Sequence, residues 1–257
     1  MKWFLFGILV LVFVLIGGIG WYIKPYFTPA KKLHGLKVKT HCDDTIRIAY
    51  VGDSWAVYQQ YYNCDIDSII SIVTKRPVKV RISGVNGITS KNVYYSFYRN
   101  DCMRELIEWG PDFCFIVAGI NDSDRKMGRS YYKENMNLII ETLLKCKIVP
   151  ILLEIPSYNI CYSFKVRSLK VKLQYLASML ITWSKMDCID DYRNAYADLI
   201  KEKGWEKKII TISSEDWNPE GYKDRRGLYD EGLMHLNEKG YHVLDSCIAY
   251  KVINYLK

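Results

Sequence analysis

An α/β fold of three layers, with a parallel sheet covered by helices on both faces, is what the 257-residue sequence predicts, and three observations predict it. Short apolar, β-branched segments recur along the chain. Segments of helical length separate them, and small polar residues and glycine follow directly on the apolar runs. Near-continuous apolar strands belong to sheets buried on both faces, and their alternation with helices calls for parallel crossovers.

The first element is WFLFGILVLVFVLIGGIGWYI, Trp3 to Ile23, which carries no charge over twenty-one positions. At about 1.5 Å per residue such a helix crosses the roughly 30 Å hydrocarbon core of a bilayer. Trp3, Trp21 and Tyr22 suit the interfacial aromatic belts. A cleaved signal peptide has an apolar stretch of only about 7 to 15 residues and a small-residue cleavage site, so residues 1–23 are expected as an uncleaved single-pass anchor. Lys24, Lys31, Lys32, Lys37 and Lys39 follow it and only Lys2 precedes it. The positive-inside rule taken literally puts the rest of the chain in the cytoplasm, but an almost absent N-terminal tail gives the rule little to act on, and the side stays open.

Residues 24–45, polar, basic and holding two prolines, read as a stalk. One domain is expected over 46–257, since no linker, low-complexity tract or internal repeat divides it. Its strands are expected at IRIAYVG (46–52), VKVRISG (78–84), DFCFIVAG (112–119), KIVPILLEIP (147–156) and KKIITIS (207–213). Helices are expected at YYKENMNLIIETLLK after Ser130, and at DDYRNAYADLIKEKG, with an aspartate cap at its start and Gly204 at its end. A last helix follows YDEGLMHLNEKGY.

Eight cysteines lie no closer than twelve positions apart, so no CxxC metal or redox pair exists, and Cys114 and Cys146 sit in core-like surroundings. The net charge of +8 favours anionic lipid heads or acidic polymers. No HExxH, zinc-type Cys/His spacing, EF-hand loop, P-loop or GxGxxG is present, so neither metal nor cofactor is expected. The basic residues match no nucleic-acid-binding motif.

In a parallel α/β sheet, ligands bind at the carboxyl ends of the strands. The segments that fall there are GDSW after the first strand, SGVNGITS after the second, GINDSD after the third and EIPSYN after the fourth. Singly, each is an ordinary turn or helix cap. Together they supply the parts of acyl transfer. Ser54 is a nucleophile that needs a base, and His235 is the imidazole placed to be that base. His34 and His41 lie in the stalk and His242 a helical stretch later. The Ser54 N–H, a glycine N–H and the Asn121 amide could hold the tetrahedral oxyanion.

With these residues the chain resembles the SGNH (GDSL-type) hydrolase superfamily, over roughly residues 46 to 255 and in that family's order. The matching positions are Ser54 in GDS, Gly87 in GVNGITS, Asn121 in GIND and His235 in HLNEKGY. Gly84 competes with Gly87, and Thr89 and Ser90 behind Gly87 favour the latter. The resemblance implies Ser54 as nucleophile, His235 as base, and Ser54, Gly87 and Asn121 as oxyanion hole. It also implies an aspartate three residues before the histidine, where this chain has Gly232. Asp230 and Glu231 stand five and four residues before His235, and the expectation is a bulged loop that lets Asp230 reach the imidazole. Glu231, or a backbone carbonyl, is the alternative orienting group. GDSW lacks the second glycine of the G-x-S-x-G elbow, which favours a flavodoxin-like sheet over the α/β-hydrolase one.

The activity expected is that of a membrane-anchored serine esterase removing or transferring acetyl groups on a cell-surface or capsular polysaccharide. Trp217, Tyr222 and Tyr229 are candidates to stack on sugar rings, with Arg225 and Arg226 for an acidic group. A lipid or acyl esterase, and a catalytically silent glycan-binding module of a polysaccharide assembly machine, are the alternatives. The acyl group, the acceptor and the oligomeric state are open.

Overall fold

The computed structural model describes residues 24–99 and 101–257. β1 (Ile46–Gly52) leads into α1 (Ser54–Gln59) and α2 (Ile66–Thr74), and β2 (Val78–Gly84) into α3 (Ser90–Ser96) and α4 (Cys102–Glu108). β3 (Phe113–Val117) leads into α5 (Ile120–Asp124) and α6 (Arg129–Lys145), and β4 (Val149–Leu153) into α7 (Ile160–Lys165), α8 (Leu169–Thr182) and α9 (Ile189–Lys203). β5 (Ile210–Ile212) is followed by α10 (Ser214–Trp217) and the closing helix α11 (Glu238–Leu256).

The five strands form one sheet in the order β2-β1-β3-β4-β5, and every pairing is parallel. This is the flavodoxin-like order, which reverses direction beside β1. Burial follows position in the sheet. The central strands β1 and β3 are buried almost throughout, whereas the edge strand β2 alternates, as a strand covered by protein on one side only should. α2 packs against α11, and α6 packs between α3 and α9.

Two local expectations are revised. α9 begins at Ile189 after Cys188 in the cap position, whose side chain makes no capping bond, and Asp190 and Asp191 sit inside the first turn, where negative charge complements the helix dipole without capping it. Gly204 does close the helix in the left-handed conformation. Residues 24–45, expected as a stalk, lie along the domain surface. The Ala30 N–H donates to Asn135 Oδ1 (2.8 Å), the Leu33 N–H to the Tyr94 hydroxyl (2.7 Å) and the Lys39 N–H to the Glu108 carbonyl (3.0 Å). Leu36 and Val38 pack onto the core between these bonds, and their burial is the physical reason the segment does not stand free. The span expected at 3–23 lies outside the described residues; among the described residues no helix is long and apolar enough to cross a membrane.

Candidate active site

Strand register sets the level of the site. Gly52 at the end of β1 pairs with Gly84 of β2 and with Val117 of β3. The loops after all three strands therefore leave the sheet from one edge, on either side of the strand where the order reverses.

Asp53 follows Gly52 and caps α1, accepting from the Trp55 N–H at 3.0 Å. Ser54 is thus the first residue of the helix rather than its cap, and its hydroxyl is not spent on the backbone. Ser54 Oγ lies 2.8 Å from His235 Nε2. The Asp53 carboxylate is fully buried. Its second oxygen accepts from Asn121 Nδ2 at 3.1 Å, which fixes the amide and leaves its other N–H for a ligand. Burial, with the charge of Asp122 nearby, pushes the Asp53 pKa up to about 7 against the pull of the bonds from Trp55 and Asn121. Asp122 is buried too and accepts from both the N–H and the hydroxyl of Ser90. Burial raises its pKa to about 6. The two aspartates tie the GDSW, GITS and GIND loops together.

The two glycines of the second loop do different work. A Cβ on Gly84 would stand 2.6 Å from the Val57 nitrogen and 2.7 Å from the Asp53 carbonyl, so only glycine lets α1 settle against β2. Gly87 has φ +70°, a left-handed turn residue, and its carbonyl accepts from the Arg125 guanidinium at 2.6 Å. Neither the Gly87 N–H nor the Ser54 N–H has a hydrogen-bond partner among the described residues.

His235 comes from the loop before α11. The Asp230 N–H donates to the His235 carbonyl at 2.9 Å, and Tyr229 and Leu236 form an antiparallel bridge. Residues 231–234 thus close a tight loop, with Leu233 in the left-handed region at φ 52°. Asp230 and His235 face each other across it, Asp230 Oδ2 lying 3.7 Å from His235 Nδ1. That is longer than a hydrogen bond, and it becomes an ion pair only when the imidazole is protonated. Glu231 is exposed. The imidazole stacks on Tyr58, ring centres 4.4 Å apart, and the Trp55 indole N–H holds the loop through the Met234 carbonyl at 3.1 Å. Burial lowers the His235 pKa below its ordinary value, and Asp230 acts in the opposite direction.

Ser54, Gly87, Asn121 and His235 line one cleft of about 1010 Å³, together with Arg125 and Tyr58. The aromatic residues expected for sugar stacking are placed elsewhere. Trp217 and Tyr229 are buried, meeting Trp55 edge-on, and the Tyr229 hydroxyl donates to the Ser157 carbonyl. They are core because α10 and the loop before His235 fold back onto α1. Arg226 pairs with Asp224 and donates to the Trp217 carbonyl. Among the described residues no group of three or more His, Cys, Asp or Glu side chains could hold a metal ion.

Comparison with known proteins matches residues 50–243 to the GDSL-like lipase/acylhydrolase family. The chain belongs to that family. It is an ester-hydrolysing enzyme of the GDSL type. No curated protein matches the sequence. Solved structures show the same fold at low identity. A lipase/acylhydrolase from Enterococcus faecalis is 15% identical with a TM-score of 0.55, over 81% of this chain and 96% of that one. The acetylxylan esterase Axe2 from Geobacillus stearothermophilus is 13% identical with a TM-score of 0.54, over 80% and 94%. The psychrotrophic esterase EstA from Pseudoalteromonas sp. is 13% identical with a TM-score of 0.56, over 83% and 99%.

Sequence reasoning missed Asp53, Asp122 and Arg125. The aspartates of GDS and GIND look like turn residues, and nothing local reveals their complete burial. Their spacing from Ser54 and Asn121 was the available signal.

Proposed function

We propose that the enzyme is a serine esterase working through an acyl-Ser54 intermediate, held at a membrane by residues 3–23, and that it removes or transfers acetyl groups on an anionic surface glycan. The 2.8 Å contact between Ser54 Oγ and His235 Nε2 carries the catalytic part. Neutral His235 takes the Ser54 proton at Nε2 as Oγ attacks the ester carbonyl. The developing oxyanion is met by the Ser54 N–H, the Gly87 N–H and the free N–H of Asn121, each such donor contributing about 3 to 4 kcal/mol. Collapse expels the alcohol, which His235 protonates. Water, or a sugar hydroxyl, then loses its proton to His235 and attacks the acyl carbon, releasing the acid or the new ester and restoring Ser54. Asp230 faces the imidazolium formed in both steps.

Two features support a glycan with negative charge. A cleft of about 1010 Å³ is far larger than an acetyl group needs. Arg125, on its wall, has no carboxylate within ion-pair distance among the described residues, whereas Arg167 is paired with Asp124.

The test uses the full chain in detergent. Ser54→Ala is expected to lower p-nitrophenyl acetate turnover about 10⁴-fold or more, and a fluorophosphonate probe is expected on Ser54 by mass spectrometry. A folded protein with neither rate nor adduct sinks the esterase mechanism and favours a silent binding module. Equal rates on acetylated acidic and neutral polysaccharides, unchanged by Arg125→Ala, remove the anionic part alone.

A further inference from the structure

The outer side of α8 carries an apolar stripe with nothing packed on it among the described residues. Leu169, Leu173, Leu176, Leu180 and Trp183 follow one another at spacings of four, three, four and three, and are 74, 59, 43, 75 and 91% exposed. That spacing keeps the four leucines on one side of the helix, and Trp183, the left-handed residue that closes it, follows them. Tyr175 and Ser178 are buried on the other side, and Val171, Gln174 and Ile181 line the cleft. α8 is therefore a wall of the active-site cleft whose outward surface is leucine and tryptophan. Scattered exposed leucines need no explanation, but a contiguous row does.

Charge around the stripe indicates what covers it. From Ile155 to Met186 the chain holds no Asp or Glu, yet it holds Lys165, Arg167, Lys170, Lys172 and Lys185. Among the described residues, only Arg167 of these is in an ion pair. A leucine face flanked by lysines and ended by tryptophan is the composition of a helix lying in the boundary between lipid headgroups and acyl chains. A second copy could cover the same stripe, but two such surfaces would bring their lysines together, whereas anionic headgroups complement them.

Position gives an independent argument. Tyr26 and Phe27 line the same cleft as α8, and they follow the last residue of the uncharged segment, Ile23, by three and four positions. A chain held in a bilayer by that segment has its cleft within a few residues of the lipid surface.

We infer that the outer face of α8 docks on the anionic surface of a lipid bilayer, so that the cleft opens beside the headgroups and takes esters presented there. This rests on the anchor proposed above and not on the esterase mechanism.

The experiment places the full chain in vesicles of phosphatidylcholine and phosphatidylglycerol doped with a photoactivatable phospholipid, and maps the lipid adducts by peptide mass spectrometry. Adducts are expected on 3–23 and on 169–183. A chain carrying both Leu173→Glu and Leu180→Glu is expected to lose the second set about tenfold while keeping the first, its thermal melt and its p-nitrophenyl acetate turnover. Phosphatidylcholine alone is expected to weaken the second set. Adducts on 3–23 with none on 169–183 overturn the docking and leave the anchor standing. Adducts on neither overturn both, whatever the esterase assay gives. A lysine-reactive bifunctional cross-linker added in a parallel sample that joins Lys170 or Lys172 of two copies, with no lipid adduct on 169–183, assigns the stripe to a dimer and overturns the docking.

Discussion

His235 must be neutral to take the Ser54 proton, and its surroundings favour that state. Burial lowers its pKa and Asp230 partly restores it. A base that works unprotonated gives a rate that rises with pH through its pKa and then levels off, so the rise is expected below the ordinary histidine value of about 6.5. Asp230→Asn removes the charge that holds the pKa up, so the acidic limb should move to lower pH. The same change takes away the counter-charge of the imidazolium and should lower kcat. Because Asp230 stands 3.7 Å from Nδ1, without a hydrogen bond, a loss of about 10- to 100-fold is expected, short of the ~10⁴ seen for a hydrogen-bonded triad acid. Rate profiles from about pH 5 to pH 9 decide it, with exposed Glu231→Gln as the control expected to change nothing. A wild-type rate and an unmoved limb in Asp230→Asn would leave the orientation of His235 to Tyr58 and the backbone.

At the scale of elements, the position of α1 decides where Ser54 points, and Gly84 decides the position of α1. An alanine Cβ there meets the Val57 nitrogen and the Asp53 carbonyl at 2.6 and 2.7 Å, both backbone atoms that cannot swing away. Gly84→Ala should therefore cost about 1 to 3 kcal/mol and, by lifting α1, lower kcat more than it raises KM. Denaturant unfolding and steady-state kinetics read the two effects, and a destabilised variant with unchanged kcat would show that α1 does not move. Much of this architecture was legible in the sequence. IRIAYVG and VKVRISG are β1 and β2 to the residue, because glycine ends each apolar run where the chain must turn. The ends of β3 and β4 were less legible, since the expected segments run past the strands into Ala118 and Ile155, which stay buried for packing, and the segment expected for β5 starts three residues before the strand does. Of the site, Ser54, Gly87, Asn121 and His235 could be read because their loops carry unusual residues at fixed places. The partition of labour between Gly84 and Gly87 could not, because it depends on how closely α1 approaches β2. Trp217 and Tyr229 were misread for the same reason: an aromatic before a histidine looks like a ligand contact until the fold places it under Trp55.

For the molecule as a whole, the fold closes over more carboxylates than it can neutralise. Asp53, Asp122 and Asp245 are all buried, and burial raises their pKa values to about 7, 6 and 7. Each is raised above the unfolded value near 3.8, so the folded state holds protons that the unfolded chain releases. The stability these groups contribute is full below that unfolded value and is lost as pH climbs through 6 and 7. His235, with its pKa lowered, acts in the opposite sense but is one group against three. Asp245 isolates the effect because it lies away from the cleft, between α11 and the start of α2. Its Oδ2 accepts from Gln59 Nε2 and the Asp65 N–H at 3.1 and 3.0 Å. An asparagine oxygen can accept both of those bonds without bringing a charge. Asp245→Asn is therefore expected to raise Tm at pH 8 by about 2 to 4 °C, the shift that goes with roughly 1 kcal/mol in a domain of this size. At pH 5, where the native aspartate is protonated but the unfolded one is already ionised, the gain should be clearly smaller than at pH 8, since it vanishes only below the unfolded value near 3.8. Thermal melts of both proteins at the two pH values read the difference directly. An equal shift at both would trace it to packing, and a fall at pH 8 would mean that the charged carboxylate is better held by its neighbours than its burial implies.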